Sequence, residues 1–356
     1  MSPCPSTRDF LLDQWNRYPA SRLQDLRKAL YQSTFGCGHL VDDPSAAAVW
    51  IRQEAERAPD YRGIERLDGP WCRVPLGVLS DGLTPETLAA AFARSAAMPG
   101  EDIPALEGRL AVLMELIREG TLPFDPAAAE AEIAAWRAAG YPACHHSDVY
   151  RNAYHPAYRV LHRRYAHLLP LLAAIDRALA AKPRVLLAIE GCSAGGKSTL
   201  ADLLAGFYPD TALFHADDYF LRPEQRTPER FAQPGGNMDR ERLAAEILGP
   251  LSQGRDVEYR PFDCKTMSLG APRSSRCARL NIVEGSYSLH PELEYYYDLS
   301  VFLDISPETQ RRRILERNGP EWGQMFFDRW IPLENAYFHA TLAAERCTLR
   351  LEEEPE

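Results

Sequence analysis

At 356 residues the chain is long enough for two domains of ordinary size, each able to bury its own core. A composition that is 46% hydrophobic and 25% charged, with no low-complexity tract, excludes a fibrous or largely disordered protein. The formal net charge of −10 repels a nucleic-acid backbone, so duplex binding would require a locally basic surface. Apolar runs such as residues 185–189 are far too short to span a bilayer, and the N-terminus has no apolar core of the secretory kind. None of the eight cysteines forms a C-x-x-C pair, and the expectation is a reduced cytoplasmic protein.

From residue 9 to about 181, apolar residues recur at helical spacing with no convincing run of strands. Leu23, Leu26 and Leu30 mark one helix, and residues 47–55, 88–92, 106–117 and 127–138 mark others. Thr84-Pro85 and Asp125-Pro126 each set a capping side chain before a proline at the first helical position. Segments with glycine and proline at 36–38, 68–75 and 140–142 separate these helices. A last helix, about 156–181, ends at Lys182-Pro183, because proline cannot continue it. The boundary expected there divides a mainly α-helical domain, 1–181, from a second domain, 182–356.

Two features of the first domain stand out. Cys37 and His39 flank Gly38, and Cys144-His145-His146 lies elsewhere; they would hold zinc only if they met in space, and their spacing fits no known zinc module. Residues 145–167 interleave five histidines with Tyr150, Tyr154, Tyr158, Tyr165 and four arginines. That strip reads as an amphipathic helix packing its tyrosines, the alternative being a surface for phosphate or single-stranded nucleic acid. The role of this domain, substrate binding or regulation, stays open.

Beyond Pro183 short aliphatic runs alternate with helices, the pattern of a parallel α/β sheet. Strands are expected at 185–190, 212–216, 281–284 and 299–304, with helices at 198–205, 239–251 and 307–317. Between the first strand and its helix, Gly191-Cys192-Ser193-Ala194-Gly195-Gly196-Lys197-Ser198 fits G-x-x-x-x-G-K-S, followed by Thr199. Glycines let such a backbone wrap phosphate oxygens, and the helix N-terminus adds partial positive charge. Gly191, Ser193, Ala194, Gly195, Gly196, Lys197, Ser198 and Thr199 are therefore the nucleotide-binding candidates. Lys197 would reach the β- and γ-phosphates of ATP, and Ser198 would ligate magnesium.

The second strand runs into Asp217-Asp218-Tyr219, at the sheet edge where ligands of such folds bind. A carboxylate there can hold magnesium or take the proton of an attacking hydroxyl, and the sequence does not say which of the two acids would do so. Glu284 closes the third strand and is a second candidate for metal or acceptor. On the helix 307–317, Arg313 and Arg317 share a face, the arrangement of a lid that neutralises a transferred phosphoryl group. Residues 284–291, with Tyr287, and 330–338 are rich in aromatic and polar side chains; either could line an acceptor pocket, and packing explains the second equally well.

Taken in order, the P-loop, Asp-Asp-Tyr-Phe, Pro-Phe-Asp, Glu-Gly, a strand ending in Asp and an Arg-rich helix resemble the uridine kinase and phosphoribulokinase family over roughly residues 183–338. The resemblance implies an α/β P-loop kinase domain that uses ATP and Mg2+. It makes Asp217 the catalytic base, and places Asp239, Asp263 and Arg313 at the acceptor or the lid. Residues 233–238 lack the acidic His-Pro-Asp stretch of uridine kinases, and residues 264–268 lack the histidine that reads the base. The expectation is a kinase for a small hydroxyl compound other than uridine. A nucleotide-gated regulator and a bifunctional enzyme are the alternatives, and oligomeric state stays open.

Overall fold

A computed structural model describes residues 6–37 and 44–353, and the chain forms two compact units that part at Ala173 and Ala174. His39 lies outside the described residues. No helix among them is long and apolar enough to cross a membrane.

The N-terminal unit is built from α1 (Thr7–Arg17), α2 (Leu23–Phe35), α3 (Pro44–Ala55), α4 (Pro85–Ala96), α5 (Ile103–Arg118), α6 (Pro126–Ala138) and α7 (Asp148–Tyr154). Thr84 and Asp125 cap α4 and α6 through their side chains, each with proline at the first turn. Leu30, Ile51, Leu88, Leu106 and Leu113 are fully buried, each contributing about 1.5–3 kcal/mol of apolar burial. Among the helices lies a three-stranded antiparallel sheet of β1 (Glu65–Arg66), β2 (Trp71–Pro75) and β3 (Tyr158–His162).

That sheet adds strands to a mainly helical unit in which the sequence showed no convincing run of them, and it corrects the expectation of one helix over 156–181. His155 takes a left-handed conformation (φ 44°) that ends α7, and Pro156 cannot donate to a continuing helix. Tyr158 to His162 then pair with Pro75 back to Trp71, whose strand is buried throughout. A partner about ninety residues away in sequence decides the strand, and helical periodicity cannot see it. Only then come α8 (Arg163–Ala166) and α9 (Leu169–Ala181).

A buried polar chain ties α2 to these strands. Asp25 accepts from Ser147 N–H at 2.8 Å and contacts His146 Nδ1 at 3.0 Å, while His146 Nε2 contacts the Tyr158 hydroxyl at 2.7 Å. His146 therefore serves this chain, and no group of three or more metal-binding side chains occurs among the described residues. Cys37 is buried, and burial pushes its thiol up to about 12.

Burial holds the His146 imidazole down at about 4, outweighing the pull of Asp25. Burial alone would raise Asp25, but hydrogen bonds from His146 and Ser147 win and hold it at about 2. Between pH 6.5 and 4 an unfolded histidine binds a proton that folded His146 refuses, so stability falls as pH drops through that window. The full effect is on the order of 3 kcal/mol. Urea unfolding of the N-terminal unit should weaken from pH 6.5 to 4, and His146→Gln should flatten that slope; equal slopes would contradict a buried neutral histidine.

The C-terminal unit takes in α9 from Ala174 onward and continues with β4 (Val185–Gly191), α10 (Lys197–Phe207) and β5 (Thr211–His215). Next come α11 (Pro228–Phe231) and a helical segment of α12 (Arg240–Leu243), a π turn and α13 (Gly249–Ser252). Two small antiparallel pairs join β6 (Val257–Tyr259) to β9 (Arg273–Ser275), and β7 (Phe262–Asp263) to β8 (Ser268–Leu269). The chain closes with β10 (Leu280–Glu284), β11 (Leu299–Asp304), α14 (Pro307–Met325), α15 (Ile331–Thr341), α16 (Ala343–Arg346) and β12 (Leu349–Glu352).

The main sheet is parallel, with helices packed against it, in the order β12-β11-β4-β10-β5. Central β4 and β10 are buried at every position. β12 has no counterpart in the sequence reading, because Leu349-Arg350-Leu351-Glu352 is short and half charged. This order sets the C-terminal ends of β4, β10 and β5 side by side, where ligands of open parallel sheets bind.

Candidate functional site

β4 delivers Gly191 to the sheet edge at φ 149°, and a Cβ there would lie 2.7 Å from the Leu303 carbonyl on β11. Only glycine permits that approach. The loop then takes left-handed conformations at Ala194 (φ 61°) and at Gly196 (φ 92°), the residue that precedes α10. Such alternation turns successive N–H groups inward to form a concavity for an anion.

An anion is already bound there. Ser193 N–H donates to both oxygens of Glu334, at 3.2 and 3.0 Å, and Ser193 Oγ donates to the same carboxylate. Ser286 Oγ donates to it at 2.8 Å. Glu334 projects from α15 and is only 3% exposed. Lys197 folds back over the loop, its Nζ donating to Gly191 O and Cys192 O at 2.9 Å each and to Ser286 Oγ at 3.3 Å. Thr199 follows on α10 and is exposed.

Acidic groups converge beside the loop. Glu284, buried at the end of β10, accepts from Ser198 Oγ at 3.1 Å and contacts His215 Nδ1 at 2.6 Å. The hydrogen bond to Glu284 raises the His215 imidazole above its ordinary range. The protein crowded around Asp217 pushes its carboxyl up; Lys197 opposes this, and the charges of Glu284 and Glu334 add to it. Asp217 nevertheless keeps an exposed surface, so water damps each effect. Asp218 is raised by burial against the pull of His215 and Arg273, whose guanidinium lies 3.8 Å away.

Behind the loop, the fully buried Glu190 carboxyl accepts from the N–H groups of Gly191, Tyr287 and Leu289 at 2.9, 3.1 and 2.9 Å, and from the Tyr337 hydroxyl at 3.1 Å. Burial raises it to about 7 despite these bonds. Glu190 thereby clamps the P-loop to the turn after β10 and to α15.

The Arg-rich helix is divided by Gly319 (φ 74°) and Pro320. From its first half, Gln310 Nε2 donates to Ser193 O at 3.2 Å and Arg313 Nη1 to Ala194 O at 3.4 Å, so Arg313 lies on the loop. Arg317, one turn on, stacks 5.6 Å from the Phe326 ring and bonds Asn318 instead, and the structure does not bring it to the loop.

Three acceptor candidates hold structural places. Tyr219 is fully buried, its hydroxyl donating to Glu246 at 3.3 Å beneath the Arg242 guanidinium. Asp239 caps α12 through Arg242 N–H at 3.2 Å. Asp263 is exposed and accepts from Lys265 N–H in the turn between β7 and β8. Tyr287, buried at φ 74°, packs its ring 4.8 Å from Tyr337. Sequence reasoning named neither Glu190 nor His215 as a site residue, and it placed Ser286 and Glu334 only within the segments 284–291 and 330–338 that could line an acceptor pocket. Glu190 carried a signal, a lone acid closing an otherwise apolar strand.

No family model matches the chain, and no curated protein matches it in sequence. Among solved structures, it is similar to a possible uridine kinase from Bacillus stearothermophilus at 20% identity and TM-score 0.39, over 51% of this chain and 98% of that one. It is also similar to a proposed fructose transport system kinase from Silicibacter sp. TM1040 at 20% identity and TM-score 0.37, over 50% of this chain and 97% of that one.

Proposed function

We propose that the C-terminal unit is an ATP- and magnesium-dependent phosphotransferase, which moves the γ-phosphate to a hydroxyl of a small compound other than uridine. The observation that carries this reading is the anion cradle: Ser193 N–H, Ser193 Oγ and Ser286 Oγ hold a carboxylate where a P-loop holds phosphate. Lys197 stands within the same loop, ready to exchange two carbonyl partners for phosphate oxygens.

The Ser198 hydroxyl and the Glu284 and Asp217 carboxylates are the oxygen groups that would hold magnesium; burial raises the Asp217 carboxyl, the Glu284 charge adds to it, and a bound cation would offset both. A magnesium ion held there supplies positive charge to the β- and γ-phosphate oxygens. Asp217, its carboxyl raised by burial and part of its surface exposed, accepts the proton of the acceptor hydroxyl. As that oxygen bonds to the γ-phosphorus, the bond to the β-phosphate oxygen breaks and ADP leaves with its electron pair. Arg313, over Ala194, neutralises charge on the transferred group.

Glu334 has to leave the loop before phosphate enters. That exclusion also supports the second reading, a nucleotide-gated regulator in which release of α15 is the output.

Two variants test the proposal. Lys197→Ala should lower turnover by about a hundredfold or more with unfolding unchanged, and near-normal activity would overturn it. Glu334→Gln keeps the shape but removes the competing charge, so calorimetry should find ADP bound about tenfold more tightly. Weaker binding in that variant would make Glu334 a contributor to the nucleotide site and not its competitor.

A further inference from the structure

The N-terminal unit contains a cavity of about 460 Å³, within the size range of small-molecule sites. Tyr18, Tyr61, Tyr150, Tyr154 and Tyr158 line it, together with Arg73 and Glu65. None of these residues takes part in the phosphotransferase reading, and the inference stands apart from it.

The aromatic wall is fixed in place. Tyr18, Tyr150 and Tyr154 meet in tilted and edge contacts, with centroids 4.8–5.3 Å apart. Tyr150 also stacks on His146 at 4.0 Å and 4°. Asp25 and His146 hold the Tyr158 hydroxyl, and the Tyr154 hydroxyl accepts from Ala20 N–H at 2.8 Å. A wall held this way loses little freedom when a ring is laid on it, which favours binding.

Arg73 supplies the polar element. It is 2% exposed, with Nε donating to Gln32 at 2.9 Å and Nη1 to Gln14 at 2.9 Å, while Glu65 lies 3.5 Å from Nη1. Its second terminal nitrogen, Nη2, is buried with no hydrogen-bond partner. A charged donor left unpaired inside a protein is costly, and a ligand that brings an acceptor relieves that cost. Glu65 is already engaged by Gln14 and Arg73, so no free carboxylate remains to balance a cation. The aromatic walls therefore do not serve a quaternary ammonium, which Arg73 would repel.

We infer that this cavity is a binding site for a planar aromatic molecule of one or two rings bearing a carbonyl or carboxylate oxygen. The ring lies among the tyrosines, and the oxygen accepts from Arg73.

The test is saturation-transfer NMR on the full chain with four probes at millimolar concentration. Quinoline-2-carboxylate has both ring and acceptor, quinoline lacks the oxygen, cyclohexanecarboxylate lacks the aromatic ring, and tetramethylammonium is a cation. Quinoline-2-carboxylate should bind roughly tenfold more tightly than each of the others. Tyr61→Ala, at an exposed residue, should weaken it several-fold, which locates the probe in this cavity. Arg73→Lys, accepted only if circular dichroism shows a folded chain, should erase the preference over quinoline. Absent binding, equal binding of quinoline, stronger binding of tetramethylammonium, or affinity unchanged in Tyr61→Ala would each overturn the inference.

Discussion

A backbone amide turned inward where no strand or helix can satisfy it must find another acceptor. In this chain the amide of Ser193 finds the Glu334 carboxylate, 141 residues further along. Much of the C-terminal unit can be read from that contact. Gly191 has to approach β11 closely for the loop to begin, Ala194 and Gly196 have to adopt positive φ for its amides to converge, and α15 has to lie across it to bring the acid. Glu190 secures the arrangement from beneath, its carboxyl joining the loop, the turn after β10 and Tyr337 of α15.

The same contact frames the electrostatics. Glu284, Asp217, Glu190 and Glu334 lie near the sheet edge with Lys197, where burial raises the carboxyls of Asp217 and Glu190 and the charges of Glu284 and Glu334 add to it at Asp217. Such a cluster is expensive to maintain unless charge is exchanged during function. In the proposed reaction the Glu334 carboxylate leaves the loop and phosphates replace it, while Ser198 and Glu284 are among the residues that would hold magnesium. On that proposal the Glu334 contact would compete with phosphate and lower apparent nucleotide affinity.

The sequence carried the parts of this unit that depend on local rules. The P-loop was legible because its glycines answer steric demands within eight residues, and the strand ending at Asp304 because Val301, Phe302 and Leu303 form a short apolar run before it. Glu334 was not, since a glutamate in a helix looks like any solvated acid until the fold sets it against a loop. At Arg317 and Asp239 a motif supplied the residue type, and the sequence did not show that the fold packs Arg317 on Phe326 and sets Asp239 at the cap of α12. In the N-terminal unit the tyrosine and histidine strip was read as a helix. Its middle is a strand because Trp71 to Pro75 offers a buried edge, a fact distributed over distant residues. The cavity there is likewise assembled from α1, β1, β2, α7 and β3 together, and no single segment announces it.

The measurement that bears most directly on the central claim is acceptor-dependent release of ADP. The purified chain would be incubated with ATP, magnesium and, one at a time, nucleosides, sugars, amino alcohols and vitamin precursors. A phosphotransferase predicts release that rises sharply with one class of hydroxyl compound and yields its phosphorylated form. Release equal with and without every acceptor, or none despite measured binding of ATP, would contradict it.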